Sequence, residues 1–159
     1  MALRKLVAGD SAVLRAQAHP VRTIDRVILN LLDDMAETMY HAKGVGLAAP
    51  QIGISKQLVV IDIGDGRLLE LINPVLLEAR GEVLDLEGCL SLPGISGEVP
   101  RAEWVAVQAL DRQGREFRLE GEGLLARALQ HELDHLQGIL FIDRAKKILE
   151  PGESPGEDR

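Results

Sequence analysis

The stretch His131-Glu132-Leu133-Asp134-His135 decides the fold of this chain, because it predicts the helix around which the other elements pack. Its two histidines are four residues apart, a spacing that places both rings on one face of an α-helix. Both ring nitrogens can therefore reach a single cation. Glu132 projects about 100° around the helix from His131, so it can stand beside that cation and transfer protons without binding it. We predict a metal site on this helix.

Apolar residues around the motif indicate that this helix is buried. A helical pattern runs over residues 122–137, and Gly138 marks its end. The apolar positions on or near one side are Leu124, Leu125, Ala128, Leu129 and Leu136. The alternative is a polar stripe on an exposed helix, which this apolar side disfavours. Buried histidine pairs need a metal or a hydrogen-bonding partner.

The third ligand of the predicted site does not follow the motif. A catalytic site of the zinc type has three protein ligands and an open position. One class of such enzymes has a third histidine six residues after the second, where this chain has Phe141. Another class uses a later glutamate, but the acids at that distance lie in or beside an acidic end rich in Pro and Gly; they are Glu150, Glu153 and Glu157. We therefore expect a ligand from upstream.

Cys89 is the candidate for that ligand. It is the only cysteine of the chain, and its thiolate is a soft donor that suits zinc or ferrous iron. A lone cysteine is more often an inert buried thiol, but a histidine pair that lacks a third ligand favours metal binding. With one thiolate and two neutral imidazoles, a divalent cation keeps a net positive charge and lowers the pKa of a bound water molecule. These residues predict a hydrolase that acts on a carbonyl compound.

The order of the remaining elements predicts an α+β fold. Apolar residues recur at helical spacing over residues 23–43, which indicates an N-terminal amphipathic helix with Thr23 as N-cap and Gly44 in the left-handed conformation at its end. The hairpin signal Asp65-Gly66 lies between the first two of five β-rich runs. The runs cover residues 57–63, 68–76, 82–89, 103–110 and 116–120. We predict mostly antiparallel strands packed around the central motif-bearing helix.

The chain is predicted to form one domain. Its 159 residues are enough for a single core of ordinary size. We assign residues 1–148 to this domain. Residues 149–159 form an acidic stretch rich in Pro and Gly, which we expect to be a disordered tail.

Composition argues against two kinds of partner. The net charge of -7 and the aromatic content of 3% disfavour DNA, because phosphate binding needs a basic face and single strands need stacking platforms. We expect no membrane insertion, since apolar runs such as Leu58-Val59-Val60-Ile61 are far too short. One cysteine excludes an internal disulfide and fits a reducing compartment. The Arg-rich start is compatible with an organelle transit peptide, but we favour the cytoplasm.

Three segments together resemble the peptide deformylase family. They are residues 44–51 (GVGLAAPQ), 87–91 (EGCLS) and 130–138 (QHELDHLQG), and they match the family's patterns in order and with its usual separations. Each segment alone is moderate evidence, whereas the three jointly are highly specific. The similarity covers residues 2–145.

The resemblance implies a reaction and a set of catalytic roles. Family members remove the formyl group from the initiator methionine of nascent polypeptides and release formate. By this resemblance, Glu132 is the general acid/base, while the side-chain amide of Gln51 and the backbone N–H of Leu90 stabilise the oxyanion. The implied metal ligands are Cys89, His131 and His135.

The resemblance also implies a substrate pocket. Gly46 leaves room for the substrate backbone to pair with the chain. Arg127 falls on the helix turn that lines the pocket, where apolar residues are common in relatives, so it raises the question of the pocket's polarity. Glu87 and Arg101 match positions that pair in the family, and we expect them to support the loop. The apolar residues expected around the methionine side chain are Val45, Leu86, Leu124 and Ala128.

The cofactor and partners are likewise expectations from the resemblance. Ligand chemistry alone suggests zinc, but the family uses Fe²⁺ in the cell and accepts Zn²⁺, Ni²⁺ or Co²⁺, so we expect one Fe²⁺ per chain. The expected substrates are N-formylmethionyl nascent peptides, which places the ribosome near its exit tunnel among the partners. The chain ends soon after the motif helix, so its docking is expected to differ from that of relatives with a long C-terminal helix.

Two other functions share part of this pattern. An endopeptidase also uses H-E-x-x-H, but it would cleave within blocked peptides. A structural metal site would be closed by four protein ligands, whereas only three are identified here. In that case the loss of Cys89 would prevent folding.

Overall fold

Two antiparallel β-sheets and three α-helices make up the part of the chain that the structure describes. The structure is a computed structural model, and it describes residues 2–151. The strand order is β1-β2-β3-β6-β7 in one sheet and β4-β5-β8 in the other. The helices are α1 (Arg26–His41), α2 (Gly123–Leu136) and α3 (Phe141–Arg144). The strands are β1 (Gly46–Ala48), β2 (Leu58–Ile61), β3 (Leu69–Arg80), β4 (Val83–Cys89), β5 (Leu92–Arg101), β6 (Trp104–Leu110), β7 (Glu116–Glu122) and β8 (Lys147–Leu149).

A helix covers each face of the five-stranded sheet. In β2, Leu58 and Val60 belong to the core on the α1 side, whereas Val59 and Ile61 belong to the core on the α2 side. Alternate residues of a strand point to opposite faces, so burial of both faces explains why this strand is apolar without interruption. The α2 side chains in the second core are Leu125, Ala126, Ala128, Leu129 and Leu136. The predicted α+β class with mostly antiparallel strands is confirmed.

Both ends of α1 differ from the sequence prediction. The side chain of Asp25 accepts a hydrogen bond from the N–H of Ile28 at 3.1 Å, so Asp25 is the N-cap and the prediction of Thr23 is wrong. Asp caps a helix at least as well as Thr. At the other end Lys43, with φ of 60°, adopts the left-handed conformation predicted for Gly44. Gly44 is needed for a close approach instead, because a Cβ there would lie 2.7 Å from Leu90 Cδ1.

Three strands were missed in the sequence. β1 and β8 have only three residues each, which is too short for an alternating pattern to show. β5 contains Pro93, Gly94, Gly97 and Pro100, a composition that is rare inside strands.

Among residues 2–151, no helix is both long enough and apolar enough to cross a bilayer.

The C-terminal boundary of the ordered domain also changes. Leu149 is buried, ends β8 and pairs with Ser96 of β5. The predicted tail over residues 149–159 therefore begins too early, because Leu149 belongs to the folded unit. Residues 152–159 of that predicted tail lie outside the described residues.

Candidate metal centre

Three potential metal donors meet where the end of β4 lies against α2. Cys89 is the last residue of β4, and His131 and His135 lie one turn apart on α2. The Sγ atom of Cys89 is 3.3 Å from Nε2 of His135, and the Nε2 atoms of the two histidines are 3.2 Å apart. All three donor atoms lie within 4.8 Å of one another. The structure thus brings together the three residues predicted as ligands.

Local structure aims these side chains at one point. His131 and His135 are buried on α2, with 8% and 0% of their surface exposed. The pairing of β4 with β5 shifts its register between Gly88 and Cys89. Such an irregularity changes the direction of the next side chain. Cys89 therefore reaches the helix although it ends a strand of the other sheet.

The donor set fits a divalent transition metal. Bonds of about 2.0–2.3 Å to nitrogen and sulfur imply neighbouring donors roughly 3.3–3.8 Å apart in a tetrahedron. The separations of 3.2 and 3.3 Å in the structure are close to this range. One thiolate and two imidazoles suit zinc, iron, cobalt or nickel. Within residues 2–151, the group contains no fourth Cys, His or carboxylate donor. Three donors are typical of a catalytic site and not of a closed structural one.

Glu132 lies beside these donors. Its carboxyl group is buried, and Oε1 has no hydrogen-bond partner in the described part of the chain. β1 passes close to it, because a Cβ on Gly46 would lie 2.6 Å from Oε2 of Glu132. Gly46 was predicted to leave room for the substrate backbone, and in the structure it also leaves room for this carboxylate. The free Oε1 atom can accept a proton from a bound molecule.

Gln51 directs its amide at the same point from a short 3-10 helix, Ala49–Ile52, that follows β1. Its Oε1 atom accepts a hydrogen bond from the N–H of Ala48 at 2.9 Å, which fixes the orientation of the amide. Its Nε2 atom lies 3.4 Å from Cys89 Sγ and 3.3 Å from Ser91 Oγ. Buried Ser91 was not among the predicted site residues. Its place two residues after Cys89 in the EGCLS segment was the signal that could have found it.

Glu87 connects the metal centre to two buried arginines. Its Oε1 atom accepts hydrogen bonds from Nδ1 of His131 at 2.8 Å and from Nη2 of Arg101 at 2.9 Å. Its Oε2 atom accepts from Nε of Arg101 at 2.7 Å and from Nη1 of Arg127 at 2.6 Å. When Nδ1–H is donated to Glu87, a neutral His131 has its lone pair on Nε2, the atom that faces the other donors. The expected Glu87–Arg101 pair is present, whereas the contact with Arg127 was not predicted.

Burial and charge separate the two carboxyl groups of the site. Burial alone would raise the pKa of Glu87, but hydrogen bonds and charges from Arg101 and His131 lower it to about 2. Burial raises the pKa of Glu132 to about 7, and a cation held by the three donors would act in the opposite direction. Glu87 is therefore a permanent anion near neutral pH, whereas Glu132 is the group suited to gain and lose a proton.

The two imidazoles also differ in protonation. Burial, followed by the charge of His131, lowers the pKa of His135 to about 3. Burial would likewise lower the pKa of His131, but the charge of Glu132 and contacts with Cys89 and Glu87 raise it to about 10. The pair thus holds one proton more than two neutral imidazoles near neutral pH before a cation binds. Metal ligands must be deprotonated, so cation binding releases this proton.

Replacing Glu87 by alanine (E87A) should lower the free energy of unfolding at pH 7 by about 3–5 kcal/mol, because it breaks a buried ion-pair network. Arg127 would lose its carboxylate partner, and Arg101 would keep only Asp134. The folded pKa of Glu87 lies below its ordinary value of 4.5, so its contribution is complete above that value and is lost as the pH falls toward 2. Urea denaturation measures the change.

The matched control for this prediction is Glu116→Ala, because Glu116 is exposed on β7. It should change the free energy of unfolding by no more than about 0.5 kcal/mol. If E87A cost as little as the control, the Glu87 network would not stabilise the fold.

An open cavity of about 390 Å³ leads to the donors. The five residues predicted to bind the substrate all line it, and they are Val45, Gly46, Leu86, Leu124 and Ala128. Gln51, Leu90 and Glu132 line the same cavity. The site thus combines three metal donors, a buried carboxyl group and a largely apolar recess that is open to solvent.

The sequence and fold of this chain are similar to those of known peptide deformylases. A family model described as Polypeptide deformylase matches residues 3–150. The chain is 60% identical over 147 residues to a peptide deformylase from Desulfitobacterium hafniense, which covers 92% of this chain and 97% of the relative. It is 55% identical over 148 residues to a peptide deformylase from Pelotomaculum thermopropionicum, covering 93% and 95% of the two chains.

A solved structure agrees with this relationship. The crystal structure of a peptide deformylase from Legionella pneumophila has a TM-score of 0.88 with this chain at 49% sequence identity, and the match covers 91% of this chain and 86% of that chain. Sequence, fold and a Cys/His/His group beside an open cavity thus agree. The chain belongs to the peptide deformylase family, metal-dependent hydrolases that remove the N-formyl group from nascent polypeptides.

Proposed function

We propose that this chain releases formate from N-formylmethionyl peptides at a site formed by Cys89, His131, His135 and Glu132. The observation that carries the proposal is the convergence of three donor atoms within 4.8 Å at the end of an open cavity. When bound by Cys89, His131 and His135, a divalent cation would supply Lewis-acid activation of water.

Glu132 is the proton carrier in this proposal. It takes the proton of the attacking water and passes it to the amine of methionine as the carbon–nitrogen bond breaks. Each cycle returns the carboxylate to its starting state. The support is its buried position beside the donors and its Oε1 atom, which lacks a hydrogen-bond partner among the described residues.

Gln51 and Leu90 provide the oxyanion donors. The side-chain amide of Gln51 and the backbone N–H of Leu90 donate hydrogen bonds to the formyl oxygen as negative charge develops on it. The Gln51 amide is already oriented, because Ala48 N–H occupies its oxygen and leaves the NH₂ group toward Cys89. A donor that needs no rearrangement stabilises the transition state more than the ground state.

The cavity beside the donors takes the methionine side chain. Gly46 offers backbone to pair with the peptide, since no side chain stands between them. Backbone hydrogen bonds do not depend on the side chains of the later peptide residues, whereas the recess selects the first side chain. The residues that form this recess are Val45, Leu86, Leu124 and Ala128.

We assign one Fe²⁺ per chain as the native cofactor, with Zn²⁺, Ni²⁺ or Co²⁺ as substitutes. A thiolate with two imidazoles accepts all four cations, so the choice of iron comes from the resemblance to the family. Elemental analysis of protein purified without oxygen should find close to one iron per chain. Zinc at that level in the same sample would contradict the assignment.

The cellular setting follows from the substrate. Formylated amino termini emerge at the ribosomal exit tunnel, so we place the reaction there, in the cytoplasm. The catalytic unit is a single domain over residues 1–148, extended by the last residue of β8. The family match over residues 3–150 supports one unit of this size.

The test is formate release from formyl-Met-Ala by protein loaded with one metal per chain. Acetyl-Met-Ala serves as the matched control, because it differs only in the acyl group and should remain intact. Casein tests the endopeptidase alternative. A folded, metal-loaded protein that releases no formate, or that cleaves casein instead, would overturn the proposal.

A further inference from the structure

We propose that Arg127 sets the length of the first side chain that the substrate recess accepts. The inference rests on the proposed function, because the recess is the one assigned above to the methionine side chain. Arg127 lies on α2 one turn before His131, and it lines the cavity although no role was assigned to it. An arginine in an apolar recess needs an explanation, and its contacts provide one.

The charge of Arg127 is taken up by the Glu87 carboxylate, which also lines the cavity, and by two backbone carbonyl groups. Its Nη1 atom donates to Oε2 of Glu87 at 2.6 Å and to the carbonyl oxygen of Val99 at 2.8 Å, and its Nη2 atom donates to the carbonyl oxygen of Val83 at 2.8 Å. Only 11% of the side chain is exposed. The guanidinium group thus connects α2 to β4 and β5. Arg127 therefore contributes to the recess by the packing of its side chain and not by its charge. The recess can stay apolar despite the arginine.

A second cavity also has Arg127 in its lining. It has a volume of about 180 Å³, and its lining includes Val83, Ala102 and Gly123 together with the acidic residues Asp85 and Glu103. The residues that line both this cavity and the substrate recess are Leu86, Leu124 and Arg127. These three side chains therefore form the partition between the two spaces. We call it the partition below.

Arg127 is the fixed member of the partition. Leu86 and Leu124 are apolar side chains with 41% and 51% of their surface exposed, so solvent borders them and no polar contact holds them. Arg127 is held by hydrogen bonds to three partners on two strands. Its removal would join the second cavity to the substrate recess. A space of about 180 Å³ has room for several methylene groups, since one water molecule takes about 30 Å³ of liquid volume.

Two variants separate the packing of Arg127 from its charge. Arg127→Ala (R127A) removes the side chain and opens the partition, whereas Arg127→Met (R127M) removes the charge and keeps an unbranched side chain in place. Both are compared with the unchanged protein on formyl-Met-Ala and on formyl-2-aminooctanoyl-Ala, whose linear side chain is two atoms longer than that of methionine. The measured quantity is the ratio of kcat/KM for the long substrate to kcat/KM for formyl-Met-Ala.

R127A should raise this ratio by about tenfold or more, the size of effect that one or two methylene groups have in an apolar recess. R127M should lower kcat/KM for both substrates by a similar factor, because it disturbs Glu87 but keeps the partition closed. Circular dichroism and metal content verify that both variants are folded and loaded. If R127A does not fold, Arg127→Gln replaces it, since glutamine is shorter than arginine but retains a donor for the strand carbonyls.

Three results would overturn the proposal. The first is an unchanged ratio in folded R127A. The second is an equal rise of the ratio in R127A and R127M, because an equal rise would assign the effect to the charge of Arg127. Absence of formate release by the unchanged protein would overturn the proposed function together with this inference. Normal formate release with an unchanged ratio would overturn the role of Arg127 alone.

Discussion

Replacing Cys89 by alanine (C89A) will abolish formate release and metal binding while the protein stays folded. The variant loses one of three donor atoms and keeps only the two imidazoles. The loss of activity should exceed the ~10–100-fold that follows removal of a group that merely supports a ligand. Cys89 is half-buried at the end of β4, so removal of its sulfur leaves little empty space in the core. Elemental analysis and the formyl-Met-Ala assay measure the two effects.

Ser91→Ala provides the matched control for C89A. Ser91 lies two residues away and contacts the same Gln51 amide, but it is not one of the three donors. This control should keep one metal per chain. Circular dichroism of C89A distinguishes a catalytic metal site from a structural one. An unfolded C89A would favour a structural metal and contradict the catalytic one.

Replacing Glu132 by glutamine (E132Q) will lower kcat by about 10²–10⁴-fold, the usual contribution of a positioned general acid or base. Glutamine has nearly the same shape as glutamate, so it should fit in the space that Gly46 leaves open. It cannot take a proton from water. The metal content should remain at one per chain, because Glu132 is not among the three donors.

Glu116→Gln serves as the control for E132Q, since it makes the same chemical change at an exposed position. It should retain full activity. A loss of metal in E132Q would show that Glu132 supports the ligands instead of moving protons. Less than a tenfold loss of kcat would assign proton transfer to another group.

The motif helix was predictable because its signals are local. The spacing of His131, Glu132 and His135 depends on helix geometry alone, and α2 begins and ends within one residue of the predicted range. Cys89 could be identified because few other residues in the chain could complete the ligand set. β2, β3, β4, β6 and β7 were predictable for a similar reason, since their apolar runs are local features of the sequence.

Features that depend on contacts between distant segments were not predictable. β5 is held in its sheet by β4 and β8, and this pairing overrides the Pro and Gly content of its sequence. Arg127 looked like a polar residue in an apolar pocket, because its partners Glu87, Val99 and Val83 lie on strands far away in the sequence. Long-range ion pairs leave no periodic signal in the chain.

The narrow gap between Gly46 and Glu132 makes activity more fragile than folding at this point. A methyl group at position 46 would collide with the far end of a flexible side chain and not with backbone. The carboxylate could swing away at modest cost while the sheet stayed intact. Variants at position 46 would then express well and melt normally, so a screen based on solubility or melting temperature would accept proteins that no longer turn over substrate.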